Sequence, residues 1–320
     1  MTFALVRDQR APAAARRVYV ANLVAQMAIV VTGAVVRLTA SGLGCPTWPR
    51  CAGDSITPVE GQVETWHKYV EFGNRLLTVV LVLLAVTALL AAWLDARRRR
   101  SVDLPRRRAL TWLAAVPLLG TVAQIPLGGV TVLTHLNPVA VGSHLLLSLV
   151  IVALVTVLVV RAGEWGDEPV VVVVRREVRL GVQAFTALMA LVLVVGMLVT
   201  ASGPHAGDTR TRRLGLDPQT IAWLHADIVV LGFGLLAGLL VALRASRAPE
   251  RTTMAATHLL LAMLAQGLVG YVQFFTAEPW MLVTVHVLLA TVIWWATVRL
   301  LLATRTRGVV ELPSDVPATA

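Results

Sequence analysis

Inside the apolar stretches of this chain very few side chains can do acid–base or metal chemistry, and they recur at similar places. His144, His225 and His286 each stand near the start of a long apolar run, and Glu71 with Asn74 near the start of a fourth. An ionisable group in hydrocarbon is costly, so each is a functional candidate by default. Two neutral imidazoles facing each other across a helical bundle supply the axial ligands of a six-coordinate haem iron. Glu71 lies three residues from Asn74 and so shares its helix face. A carboxyl there can act as general acid or base when desolvation shifts its affinity for protons. The plainer reading of each histidine is an interhelical hydrogen bond, and of Glu71 an ion pair with Lys68 or Arg75. Three histidines at one depth favour the haem reading. His67, His135, His205 and His258 read as surface or packing residues.

The elements that position these groups follow from composition. The 320 residues are 57% hydrophobic and 14% charged, with a mean hydropathy of +0.75, too apolar for a soluble domain. About 20 apolar residues cross a bilayer, which predicts spans at 18–36, 70–94, 109–133, 141–161, 179–200, 219–243, 254–276 and 281–303. The expected fold is an all-α integral membrane protein with eight transmembrane helices. The first span follows Arg7, Arg10, Arg16 and Arg17 but lacks a small-residue cleavage site and is long for a signal-peptide core, so it is expected to remain a membrane helix. The net charge of +10 sits mainly in alternate connections: the N-terminal arm, Arg97–Arg100 with Arg106–Arg108, the 161–179 segment, Arg244–Arg251, and Arg305 with Arg307. The intervening connections are poorer, with Arg37, Arg50 and Lys68 in the first and Arg210, Arg212 and Arg213 in the third. That alternation is membrane topology rather than nucleic-acid binding. It predicts a multi-pass cell-membrane protein with both termini cytoplasmic and the candidate residues toward the extracytoplasmic side. The 97–108 connection is first a topology anchor and second a docking surface. Val309–Ala320 reads as a short disordered tail.

A repeat organises the spans. Gln124, Gly128, Val130, Thr134 and His144 match Gln266, Gly270, Val272, Thr276 and His286, all 142 residues apart, and Thr39–Gly42 is echoed by Thr200–Gly203. The expected architecture is two pseudo-symmetric four-helix bundles: an arm at 1–17, a first half at 18–161, a linker at 162–178, a second half at 179–303 and a tail at 304–320. The second half offers two histidines, His225 and His286. The first offers His144, with Asn74 where the other would stand. Arg37 and Arg75 suit haem propionates as bidentate guanidinium partners, or simply snorkel to the interface. Cys45 and Cys51 fall in an extracytoplasmic loop, where a local disulfide is expected and free thiols are the alternative. Gly42-Leu-Gly44 lacks the third glycine of a nucleotide fingerprint, and there is no phosphate loop, zinc-protease motif or serine elbow.

Together, Gly33-Ala-Val-Val-Arg37-Leu-Thr-Ala-Ser-Gly42-Leu-Gly-Cys45-Pro-Thr-Trp-Pro-Arg-Cys51, Glu71-Phe-Gly-Asn74-Arg75 and the histidine-bearing spans resemble the haem A synthases. The resemblance covers nearly all of 18–303. It implies an oxidoreductase acting on a CH3 group, in the assembly of terminal oxidases: the methyl substituent of haem O becomes the formyl group of haem A through successive hydroxylations. It implies haem B on His225 and His286 for electron transfer, His144 as the iron ligand of substrate haem O, Glu71 as the acid/base group and a Cys45–Cys51 disulfide. Many members of that family carry histidine where this chain has Asn74, so single ligation by His144, with water or Asn74 opposite, is expected. Membrane lipid surrounds the chain, a haem O synthase is a candidate partner, and the sequence specifies neither whether it docks to hand over substrate nor the electron acceptor. The competing classes are a haem-bearing electron-transfer subunit of cytochrome b type and, less well supported, a transporter, whose sites tend toward the midplane.

Overall fold

The structure is a computed structural model that describes residues 10–62, 65–102, 104, 107–164, 166–167, 169–208 and 211–307. Arg7, Arg106, Arg210 and the Val309–Ala320 tail lie outside the described residues. Eight helices among the described residues are long and apolar enough to cross a membrane. They are α1 (Ala13–Leu38), α2 (His67–Ser101), α3 (Arg108–Leu133), α4 (Pro138–Gly163), α5 (Arg176–Ser202), α6 (Pro218–Ala245), α7 (Glu250–Phe275) and α8 (Trp280–Ala303). The helices mostly run past the apolar spans, most of all at α2. There Asp95 and Arg99 pair one turn apart at 2.9 Å and carry the helix on into polar residues.

Helices α1 to α4 close on themselves through the pairings α1·α2, α2·α3, α3·α4 and α1·α4, and α5 to α8 through the equivalent four. The sets meet through α1·α8, α4·α8 and α4·α5. The turns before α4 and α8 also agree in detail. His135 and Leu136 have φ of 52° and 60°, Ala277 and Glu278 of 59° and 57°. Leu136 N–H donates to Thr131 O at 2.7 Å and Glu278 N–H to Gln273 O at 2.9 Å. Two successive non-glycine residues in the left-handed region are uncommon, and here they recur 142 residues apart.

Helix starts are set by residue chemistry. Asn137 caps α4 by accepting from Val139 N–H at 2.9 Å, with Pro138 in the first turn. Asp217 caps α6, accepting from the hydroxyl and amide of Thr220, both at 2.7 Å, which hold its carboxyl below the usual range. One feature was not expected from sequence. β1 (Val171–Val172) in the linker pairs antiparallel with β2 (Arg305–Thr306) after α8. Arg305 Nη1 also reaches Glu164 Oε1 at 2.8 Å. Pairing of two residues on each side gives almost no periodic signal, so only three dimensions reveal it.

Candidate functional site

The candidate residues cluster at one end of the bundle because each sits in the first two turns of its helix. Asn74 and His225 are each seven residues beyond the first residue of α2 and α6, and His144 and His286 six beyond that of α4 and α8. All four are half-buried, facing the seams between helices rather than open surface.

Each histidine ring lies against a glycine of the preceding helix. A methyl at Gly128 would come 3.3 Å from His144 Cε1, one at Gly270 3.3 Å from His286 Cε1, and one at Gly196 3.0 Å from His225 Cε1. A Cβ at any of the three would oblige the ring to give by a few tenths of an ångström, so glycine lets the imidazole sit closer to the backbone. Gln124 and Gln266 donate from Nε2 to the backbone carbonyls of His144 and His286 at 3.0 and 3.1 Å. The turns that carry the two histidines are thereby held in the same way. The Nδ1 atoms of all three rings are buried without a partner. Unmet buried polar atoms are uncommon in proteins, and three in matched places suit residues built around a group that a helix bundle alone does not contain.

Beneath His225 and His286 the second set encloses an apolar cavity. Val229 and Ala290, one turn beyond each histidine, line it with Met189, Val192, Met263 and Trp294, and Gln266 is its one polar wall residue. Neutral nitrogen donors above apolar walls fit an iron porphyrin, with imidazoles at the metal and hydrocarbon against the macrocycle. The first set has one imidazole. Asn74 Oδ1 accepts from Thr32 Oγ1 at 2.8 Å, so the atom by which an amide would ligate a metal is already engaged. Among the described residues no three His, Cys, Asp or Glu side chains gather as a metal-ion cage.

Over the first set lies the loop closed by the Cys45–Cys51 disulfide, as the extracytoplasmic assignment anticipated. The loop is fixed by Glu71 and Arg75. Glu71, 6% exposed, accepts from Cys45 N–H at Oε2 (2.7 Å) and from Arg75 at Oε1 (2.5 and 3.0 Å). Arg75 Nη2 also donates to Cys45 O at 2.8 Å and to Thr47 O at 3.2 Å, while Nη1 reaches Arg50 O at 3.2 Å. Of the two ion partners considered for Glu71, the structure selects Arg75. Lys68 instead donates to Val59 O at 2.7 Å. The clamp presses Trp48 onto α3: a methyl at Gly129 would come 2.5 Å from the indole, and Gly129 follows the glycine that seats His144.

Arg37 lies between the two sets. It donates from Nη2 to Thr200 O near the end of α5. Beside it Gly42 N–H meets Gly207 O at 2.9 Å. Its Nε and the hydroxyl of Thr211 are buried without partners, in a pocket that Arg212, Leu145 and Met197 also line. Of the histidines set aside, His67 meets Ser41 Oγ at 3.0 Å and His205 meets Glu278 O at 2.8 Å, both tying loops to helix ends. Gly196, Thr32 and Trp48 were missed as site residues. The glycine preceding His144 and its counterpart preceding His286 were visible as repeat matches, but their role as ring seats needs the register between helices.

A sequence model of the cytochrome oxidase assembly protein family matches residues 16–298. A haem A synthase of Geobacillus kaustophilus is 35% identical over 112 residues, 34% of this chain and 30% of that protein. One of Symbiobacterium thermophilum is 35% identical over 109 residues, 34% of this chain and 33% of that protein. One of Shewanella oneidensis is 26% identical over 160 residues, 44% of this chain and 43% of that protein. The chain thus spans less than half the length of each of these relatives.

Proposed function

The chain belongs to the cytochrome oxidase assembly protein family, and on that premise we propose that it converts haem O to haem A, oxidising the methyl substituent to a formyl group by successive hydroxylations. The observation that carries the reading is the pair of seats: an imidazole on a glycine, under a glutamine-held turn, once in each set of four helices. Bound haem would supply the redox chemistry. The protein's part is to bind, orient and manage protons.

In this reading residues 179–303 hold haem B between His225 and His286, permanently, as the electron-transfer group. Residues 18–161 hold the substrate, with His144 toward its iron. Asn74, its carbonyl committed to Thr32, would offer a bound substrate only its amide hydrogens, leaving His144 as the one residue that would hold the iron. Single ligation suits a molecule that must leave as product. Arg37, with an unmet Nε–H between the two sets, is placed for a propionate from either. Arg75 is engaged with Glu71 and the loop carbonyls, so a propionate would compete with those bonds. Glu71 holds the disulfide loop through one oxygen and Arg75 through the other. As acid/base group it exchanges its proton from that clamp, which fixes the carboxyl relative to the first site. Both termini lie in the cytoplasm, the site end faces the extracytoplasmic side, and a haem O synthase hands over the substrate.

The test is to express the chain together with a haem O synthase, purify it in detergent, and identify the extracted haems by chromatography and mass. Haem B with haem O, hydroxylated haem or haem A is the expected result. Haem B alone would transfer the reading to an electron-transfer subunit, and absence of haem would overturn it.

A further inference from the structure

Below the site, the first four helices carry polar side chains where a membrane bundle ordinarily packs hydrocarbon. On α1, Tyr19, Asn22 and Gln26 are spaced three and four apart and so share one face, and they are 0%, 0% and 4% exposed. Toward the far end of α2, Asp95 is 5% exposed and paired with Arg99, within electrostatic reach of Tyr19. On α3, Thr121 accepts from Gln26 Nε2 at 3.2 Å. One turn along the same face, Gln124 donates to Ser148 Oγ at 2.6 Å and to His144 O at 3.0 Å. Polar groups thus run from Asp95 to the turn that carries His144.

Many of their atoms have nothing to bond to. Tyr19 Oη, both side-chain polar atoms of Asn22, Asp95 Oδ1 and Gln124 Oε1 are buried and unpartnered. In a membrane, where no bulk water reaches the core, such groups must be met internally. Buried waters serve this purpose, each typically making about three hydrogen bonds, so these five atoms call for about two waters. The other set repeats only the upper end of this run, where Gln266 Oε1 and His286 Nδ1 are likewise buried and unpartnered. Around α5 to α8 the corresponding interior is Phe185, Met189, Leu236, Leu259 and Met263, all apolar.

We propose that α1, α2 and α3 enclose a hydrated polar column, an internal water-binding site reaching from Asp95 to His144, and that α5 to α8 have none. Its use, as a store of water for a substrate that is hydroxylated and dehydrated, rests on the haem A synthase reading. The column itself does not.

Radiolytic hydroxyl-radical labelling marks side chains next to bound water, and Tyr19 and Phe185, both 0% exposed, provide an internal comparison that needs no haem. In the unmodified chain Tyr19 is expected to be labelled several-fold faster than Phe185. In an Asn22→Leu, Gln26→Leu variant its labelling falls to the Phe185 level. Tyr19 as protected as Phe185 in the unmodified chain would overturn the proposal, and so would undiminished labelling in a folded double variant. Should the variant not fold, the comparison in the unmodified chain still decides. Because the result is independent of which haems copurify, failure of the column and failure of the haem reading are separable.

Discussion

The two sets of four helices share pairings, turns and histidine seats, yet differ in what fills them. Around α5 to α8 two imidazoles stand over an apolar cavity and a core of Phe185, Leu236, Leu243 and Leu259. Around α1 to α4 there is one imidazole, an asparagine tied to Thr32, a disulfide loop clamped overhead and a polar interior beneath. On the proposed reading, a largely apolar pocket with two imidazoles suits a retained cofactor. On the same reading, a more polar one with one imidazole and a fixed carboxylate suits a molecule that enters, reacts and leaves.

The largest expected effect would break the comparison on the cofactor side. His286→Ala should take the haem B content of the purified chain close to zero, read from the reduced pyridine complex, while haem O still binds to the first set. Next, Glu71→Ala should keep haem B but lower haem A formation by about 10²- to 10⁴-fold, the usual contribution of a positioned acid or base. Full turnover in that variant would reduce Glu71 to the loop clamp already visible in its bonds to Cys45 and Arg75. The comparison is sharpened by Asn74→His, which should make the first site resemble the second. The substrate haem becomes six-coordinate, low-spin and slower to leave, and an unchanged spectrum would count against Asn74 facing it. Gly270→Ala should push the His286 ring away from α7 and lower the low-spin fraction of haem B. A polar-to-alanine change at the α4 cap, Asn137→Ala, should be the mildest, costing about 1 kcal/mol of stability without altering which haems are bound.

Much of this was legible in sequence because a membrane makes polarity informative. Eight spans followed from apolar length alone, and three histidines, Glu71 and Asn74 stood out because such groups are rare in hydrocarbon. The 142-residue spacing anticipated the matched turns and glutamine bonds. Other features depend on register between helices, which one sequence does not encode locally. Gly196 has a role only because α6 brings His225 over it, and Thr32 only because α2 brings Asn74 beside α1. Tyr19, Asn22 and Gln26 sit in the first span, where three polar residues can be absorbed by an average hydropathy. Their shared burial against α2 and α3 is what turns them into a column.

The claim that the sets hold different haems is tested most directly by His144→Ala and His225→Ala side by side, each expressed with a haem O synthase and its haems extracted, separated and weighed. The account predicts that the His144 variant retains haem B and loses haem O, hydroxylated haem and haem A, whereas the His225 variant loses haem B. The same haem lost from both variants, or from neither, would contradict it.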